Sequence, residues 1–296
     1  MAPGATPSPD AAVPPLGGAR RILFHLGLLK TGTTSIQATL AANAARLADR
    51  MTIAAYDART IPLRKPGQAY AQQGNDAALP DFRAALAGLR ATIEAAPAPV
   101  AIVSDENIHS RRVYTPRGHC FQWMARALPV IAEAFAGHDL RFVFYTRAAE
   151  PWLRSAWGQE VKRGRCRDDF AAWRRALPFA PDWRAQFDAL AAVASAPVTT
   201  LEMEPEAAEG RLGAGLLRRA GLSEAELDAL DWSPPRNAAL PGGALEFMRR
   251  VNASDLPYRM VLRVSDLVEA SRDMFVSEGE AVMTRPALQH EELQDG

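Results

Sequence analysis

The chain has 296 residues, with 48% hydrophobic and 23% charged residues and a formal net charge of zero at pH 7. This composition is ordinary for a globular protein, and the neutral balance gives no support to nucleic-acid binding. No apolar run approaches the roughly 18 to 20 residues that cross a bilayer, so we expect no membrane span. The two cysteines, Cys120 and Cys166, lack metal-site spacing and favour a reduced, cytoplasmic setting.

The first 20 residues are rich in Pro, Ala and Gly. They lack the positive charge followed by an apolar core that marks a signal peptide, and they predict a disordered leader. We expect one folded domain over 21–285 and a flexible tail over 286–296.

Apolar runs alternate with amphipathic helical segments along the chain. The runs that predict strands are 22–26, 51–56, 99–103, 140–147 and 197–204. The segments that predict helices begin at about 33 and continue at 82–96, 119–136, 150–164 and 182–194, before a mostly helical last third. Residues 57–76 contain prolines and glycines, and we expect an irregular excursion there. The alternation predicts an α/β fold, a three-layer parallel sheet flanked by helices.

The sequence GLLKTGTT, residues 27–34, lies between the first predicted strand and helix. Backbone N–H groups in such a turn, together with the helix dipole, attract an anion. A simple turn with a solvated lysine is the alternative. The hydroxyl side chains that could add donors are Thr31, Thr33, Thr34 and Ser35.

The position of the lysine decides between two kinds of phosphate loop. A Walker loop reads G-x-x-x-x-G-K-[ST], but here Thr33 follows the second glycine and the lysine is Lys30. The segment HLGLLKTGTTSIQ resembles the 5′-phosphosulfate loop, P-K-[ST]-G-T-T, of sulfotransferases that use 3′-phosphoadenosine 5′-phosphosulfate (PAPS), in particular carbohydrate-type and bacterial members. Leu29 stands where that family generally has proline. The resemblance implies a P-loop nucleotide-binding type of fold, with cofactor contacts from Lys30, Thr31, Gly32, Thr33, Thr34 and Ser35.

Further residues match the way this family holds the 3′-phosphate of PAPS. The family uses an arginine at the end of a strand and a serine eight residues later, and Arg147 and Ser155 have this spacing. A guanidinium and a hydroxyl are suitable ligands for phosphate. Arg236 and Asn237 match part of a third family segment, R-N-x-S-L. The neighbouring Trp152 and Trp157 are interpreted as core residues.

The resemblance implies transfer of a sulfuryl group from PAPS to an acceptor hydroxyl of a carbohydrate, glycolipid or small molecule, with no metal required. Lys30 would stabilise the leaving phosphate oxygen, and a base would accept the proton of the acceptor. Glu106, after the predicted strand 99–103, is the first candidate base. The alternatives are Asp57 and His109, followed by Asp105 and His25. Acceptor contacts are expected within 57–80, 107–120 and 163–180; nothing indicates the oligomeric state.

Two other functions remain open at this point. The apolar strand followed by Asp105 and Glu106 also resembles a Walker B element, which would hold magnesium in a P-loop NTPase or kinase. A module that binds PAPS or its product 3′,5′-ADP without catalysis is the second alternative, with Leu29 as a first sign of lost activity.

Overall fold

The computed structural model describes residues 18–234 and 239–276. These residues fall into two compact units, the division lying within one helix. The sheet unit comprises 18–156 and 176–234, and the helical unit comprises 157–175 and 239–276. Apart from residues 18–20, both units lie within the range 21–285 that was predicted as one domain. The predicted tail 286–296 and residues 1–17 of the predicted leader lie outside the described residues.

The strands all belong to the sheet unit. In chain order they are β1 (Arg21–His25), β2 (Met51–Ala55), β3 (Val100–Ser104), β4 (Tyr114–Thr115), β5 (Gly118–His119), β6 (Asp139–Thr146) and β7 (Val198–Glu202). Five of them form a parallel sheet in the order β2-β3-β1-β6-β7, while β4 and β5 form a short antiparallel hairpin.

The helices connect these strands and build the second unit. They are α1 (Thr33–Asn43), α2 (Ile61–Ala71), α3 (Leu79–Ala95), α4 (Cys120–Ala134), α5 (Ala149–Arg163), α6 (Phe170–Arg175), α7 (Trp183–Val193), α8 (Met203–Ala208), α9 (Ala214–Arg219), α10 (Glu224–Asp228), α11 (Gly242–Ala253) and α12 (Tyr258–Ala270). Two 3₁₀ turns, Asp76–Ala78 and Arg272–Phe275, complete the described elements. None of the helices among these residues is both long enough and apolar enough to cross a membrane.

Two apolar cores on opposite faces of the sheet confirm the predicted three-layer α/β architecture. Ile22 and Phe24 of β1 point into a core shared with α2, α3, α4 and α7. Leu23, between them, points into a core shared with α1, α9 and α10. The alternation follows from the two-residue period of a strand, and burial on both faces explains why the strands read as continuous apolar runs.

The segment 57–76 corrects one prediction, because α2 occupies most of what was expected to be irregular. Pro62 lies in the first turn, where a helix needs no N–H donor, and Pro66 removes a single hydrogen bond. Leu63, Gly67 and Ala71 recur every four residues and form the buried face. A side chain at Gly67 would overlap the carbonyl oxygen of Ile108, so glycine permits this close approach.

The helical unit has its own small core. Val161 of α5 packs with Ala244 and Met248 of α11 and with Val261 and Val268 of α12. The buried Asn252 donates to the backbone oxygens of Val161 and Cys166, at 2.8 Å each, and fixes α11 against the end of α5. The expectation of a mostly helical last third is confirmed over the described residues.

Candidate functional site

Three of the predicted site segments follow neighbouring strands of the sheet. In the parallel register, His25 of β1 pairs with Ser104 of β3 on one side and with Val143 of β6 on the other. The loop 27–32 follows β1, Glu106 follows β3, and Arg147 follows β6. Because the carboxyl ends of parallel strands lie at one edge, the fold brings the loop, the carboxylate and the arginine to the same side of the sheet.

The first glycine of the loop allows three groups to meet closely. Gly27 has φ of 29°, and a Cβ placed on it would overlap the hydroxyl of Thr33 and lie 3.2 Å from Cβ of Glu106. A larger residue would therefore fill the space between the loop, the start of α1 and Glu106. This contact places the candidate base directly beside the candidate anion loop.

The start of α1 carries donors that the fold itself leaves without a side-chain partner. Gly32 is its N-cap, with φ of 81°, and no side chain caps the helix. Thr33 is only 5% exposed, and its hydroxyl has no hydrogen-bond partner among the described residues. A buried hydroxyl without a partner is costly unless a ligand or water satisfies it. The helix N-terminus and this hydroxyl together fit an oxyanion.

The other loop residues have different environments. Lys30 is half-buried with φ of 69°, a left-handed conformation that is uncommon for lysine and typical of strained functional loops. The hydroxyl of Thr31 donates to the carbonyl of Leu28 at 2.7 Å and so shapes the loop, while its contact with a cofactor stays a prediction. Thr34 is exposed and Ser35 is buried.

A tryptophan links the loop to the helix that carries Ser155. Trp152 is fully buried, as predicted, and its indole N–H donates to the carbonyl of Leu29 at 2.8 Å. Its ring also packs edge-to-face on Trp183 with centroids 4.9 Å apart. The carbonyl of Leu29 is thus held by a tertiary hydrogen bond, and α5 is tied to the loop.

The turn that carries Arg147 is fixed from two sides. Trp183 donates its indole N–H to the carbonyl of Arg147 at 2.6 Å, and Glu204 accepts the N–H of Ala148 at 2.8 Å. The half-buried Arg147 guanidinium pairs with no carboxylate in the part of the chain that the structure describes. Ser155 lies two turns further along α5 and is also half-buried. The arginine is therefore available to a phosphate.

Glu106 differs from a simple surface carboxylate. It is half-buried, and its Oε2 accepts a 2.8 Å hydrogen bond from the amide of Gln37 in α1. Burial raises the pKa of Glu106, and the adjacent Asp105 adds to this, while Gln37 and Arg64 oppose it. A raised pKa makes this carboxylate a stronger base than an exposed glutamate.

The other carboxylate candidates for the base have structural partners. Asp57 accepts from the backbone N–H and the guanidinium of Arg59; burial raises the pKa of Asp57, but these bonds outweigh it and hold the pKa below its usual value. Asp105 is fully buried, bonded at 2.7 Å to Arg64, whose guanidinium lies 3.6 Å from the ring centre of Tyr56. We therefore interpret both as structural carboxylates.

The two histidine candidates lie inside the protein. His109 is 2% exposed, and burial lowers its pKa to about 4. His25 is fully buried, its Nδ1 lies 2.9 Å from the hydroxyl of Ser104, and burial likewise lowers its pKa to about 4. Both rings are therefore enclosed by the fold, and Glu106 stays the first candidate base.

Several site residues were not found from the sequence. Gln37, Trp183 and Glu204 act through contacts between distant segments, and Trp152 was recognised only as a core residue. Nothing in their local sequence signals these hydrogen bonds. Arg236 and Asn237, predicted to bind the cofactor, lie outside the described residues.

Comparison with known proteins gives no independent assignment. No protein-family model matches the chain, and no curated protein shows a significant similarity to it. The function is therefore inferred from the chain's own residues and their geometry.

Proposed function

We propose that this protein is a sulfotransferase that binds PAPS at the loop 27–32 and transfers the sulfuryl group to an acceptor hydroxyl. The hydrogen bond from Trp152 to Leu29 carries this proposal, because it joins motifs 123 residues apart in sequence. One is the loop 27–32, which leads into Thr33 with its unsatisfied hydroxyl. The other is the segment from Arg147 to Ser155, which contains Trp152 and which the bond holds against the loop.

Each residue has a defined task in this proposal. When bound, PAPS supplies a sulfuryl group on a phosphate that departs as 3′,5′-ADP. The N-terminus of α1, the Thr33 hydroxyl and Lys30 would hold the 5′ end, and Lys30 would offset negative charge on the departing oxygen. Arg147 and Ser155 would hold the 3′-phosphate. Glu106 would take the proton that the acceptor hydroxyl loses as its oxygen bonds to sulfur.

A shallow cavity of about 610 Å³ is a candidate acceptor site. Its lining is drawn from the β4–β5 hairpin, Gln122 and the segment 176–178, and so overlaps two of the three segments expected to contact an acceptor. His119 on its wall packs on Phe179, whose ring lies 6.4 Å from Trp152. The packed rings behind the cavity wall thus extend to Trp152, which bonds to the loop. Its mixed apolar and hydrogen-bonding lining suits a hydroxylated acceptor.

The NTPase or kinase alternative has less support from the geometry. Its Walker B aspartate would be Asp105, but Arg64 and the backbone N–H of Asn107 already occupy that carboxylate. Thr33 stands at the Walker lysine position and is buried. The alternative therefore requires both the loop cation and the metal ligand to come from elsewhere.

Calorimetry with the full-length protein tests the choice. We expect 3′,5′-ADP to bind with the same affinity with and without EDTA, and ATP with magnesium to bind at least about tenfold more weakly, because it lacks the 3′-phosphate. A preference for ATP with magnesium would instead favour the NTPase or kinase.

A further inference from the structure

Gln37 lies one turn inside α1, where it connects the anion loop to Glu106. It is 8% exposed, although its side chain carries a polar amide. Its Nε2 lies 2.8 Å from Oε2 of Glu106 and 3.2 Å from the backbone oxygen of Ser104, the last residue of β3. A buried amide with two such partners on one nitrogen has a fixed orientation.

The two hydrogen bonds of the Gln37 amide have different roles. The bond to Ser104 anchors the amide to the end of a central strand, which does not move with the Glu106 side chain. The bond to Glu106 then holds one carboxylate oxygen against this anchor and leaves Oε1 as the oxygen without that constraint. Because α1 begins at the loop, the position of Glu106 is coupled to the segment that would hold the sulfuryl donor.

Two charged groups and one loop lie near Glu106. Asp105 is next to it in the chain, Arg64 extends from α2 to Asp105, and the loop approaches at Gly27. Burial, and to a smaller extent Asp105, raise the pKa of Glu106, whereas its own backbone N–H, the Gln37 amide and Arg64 lower it. Gln37 thus favours the ionised form that a base requires.

We propose that Gln37 is a positioning residue that holds Glu106 by one carboxylate oxygen, so that the other can accept the proton of the acceptor; this role rests on the proposed function. Gln37 itself touches neither the donor nor the reacting oxygen. Its removal would leave Glu106 buried without this side-chain hydrogen bond, which changes both the protonation and the placement of the base.

The direct test is a ¹³C NMR titration of the glutamate carboxyl groups in protein labelled at that carbon. The Glu106 resonance is assigned by its loss in Glu106→Gln. In Gln37→Met, which keeps the side-chain length, we expect the pKa of Glu106 to rise by about one unit, as for a lost hydrogen bond to a carboxylate. Gln186→Met is the matched control, since the side-chain amide of the half-buried Gln186 donates to the backbone oxygen of Ala180. An unchanged Glu106 pKa in Gln37→Met would overturn the proposal.

A second variant and a second measurement keep the result interpretable. If Gln37→Met does not fold, Gln37→Leu removes the same amide with a smaller side chain and should raise the pKa of Glu106 by a similar amount. In PAPS turnover, the acidic limb of the kcat/KM profile should shift to higher pH by the same amount, with 3′,5′-ADP affinity unchanged. A lower rate without this shift would assign Gln37 a structural role only.

Failure of 3′,5′-ADP to bind the wild type would reject the sulfotransferase function while leaving the NMR result on the Gln37–Glu106 pair intact.

Discussion

Replacing Lys30 with methionine should lower the rate of sulfuryl transfer from PAPS by about 100- to 1,000-fold, the usual loss when one donor to a developing negative charge is removed. Methionine keeps most of the side-chain length and removes the charge. The affinity for PAPS should fall by a smaller factor, since the charge on the departing oxygen is larger in the transition state than in the bound donor. Release of 3′,5′-ADP with a panel of hydroxyl acceptors measures the first quantity, and calorimetry with PAPS measures the second.

Lys65 provides a matched control for this experiment. It lies exposed on α2, so Lys65→Met should leave both quantities unchanged. An equal loss of turnover and PAPS affinity in Lys30→Met would mean that the lysine binds the donor but does not assist departure. If the wild type binds PAPS but shows no turnover on any acceptor, and Lys30→Met behaves alike, the chain is an inert binding module.

Trp152→Ala should destabilise the protein by about 3 to 5 kcal/mol, as for other fully buried aromatic side chains cut back to alanine. Trp152→Phe separates the two roles of this residue, because it keeps a ring and removes the N–H that the Leu29 carbonyl accepts. We expect it to cost about 1 to 3 kcal/mol and also to weaken 3′,5′-ADP binding, since the loop loses its anchor to α5. Urea unfolding and calorimetry measure the two effects.

Trp232→Phe is the control for the loss of an indole hydrogen bond. Trp232 donates to the carbonyl of Leu227 at 3.1 Å, a comparable bond made away from the loop. It should lower stability to a similar degree without a change in 3′,5′-ADP affinity. If Trp152→Phe also leaves this affinity unchanged, the hydrogen bond to Leu29 does not link the two motifs functionally.

The elements that local pattern specifies were predicted well. The buried strands, such as β3 and β6, are continuous apolar runs, and the long helix α3 has a clear apolar face. The helix α2 was missed because Pro62 and Pro66 are usually strong signals against a helix, whereas here tertiary packing of its small apolar face prevails. Helix propensity is a weak guide where a close tertiary contact, such as that of Gly67 with Ile108, stabilises the helix.

The candidate site was predictable only in part. The resemblance to PAPS sulfotransferases implies roles for Lys30, Arg147 and Ser155, and the position after a parallel strand suggests Glu106; these roles stay predictions. The partners that hold these groups, Gln37 and Trp152, depend on which distant segments meet, which a single sequence does not specify. Likewise, only the structure distinguishes the carboxylates of Glu106, Asp57 and Asp105, since burial and ion pairing determine their chemistry.

The most direct test of the proposed function is whether Arg147 binds the 3′-phosphate. The affinities of 3′,5′-ADP and 5′-AMP, which differ only in that group, are measured by calorimetry for the wild type and for Arg147→Met. Arg141→Met, near the other end of the same strand and paired with Asp139, is the control. We expect the wild type to prefer 3′,5′-ADP, and Arg147→Met to lose about 1.5 to 3 kcal/mol of binding to 3′,5′-ADP alone. Equal affinities for the two nucleotides in the wild type, or an equal loss of both in Arg147→Met, would contradict the assignment of this site to PAPS.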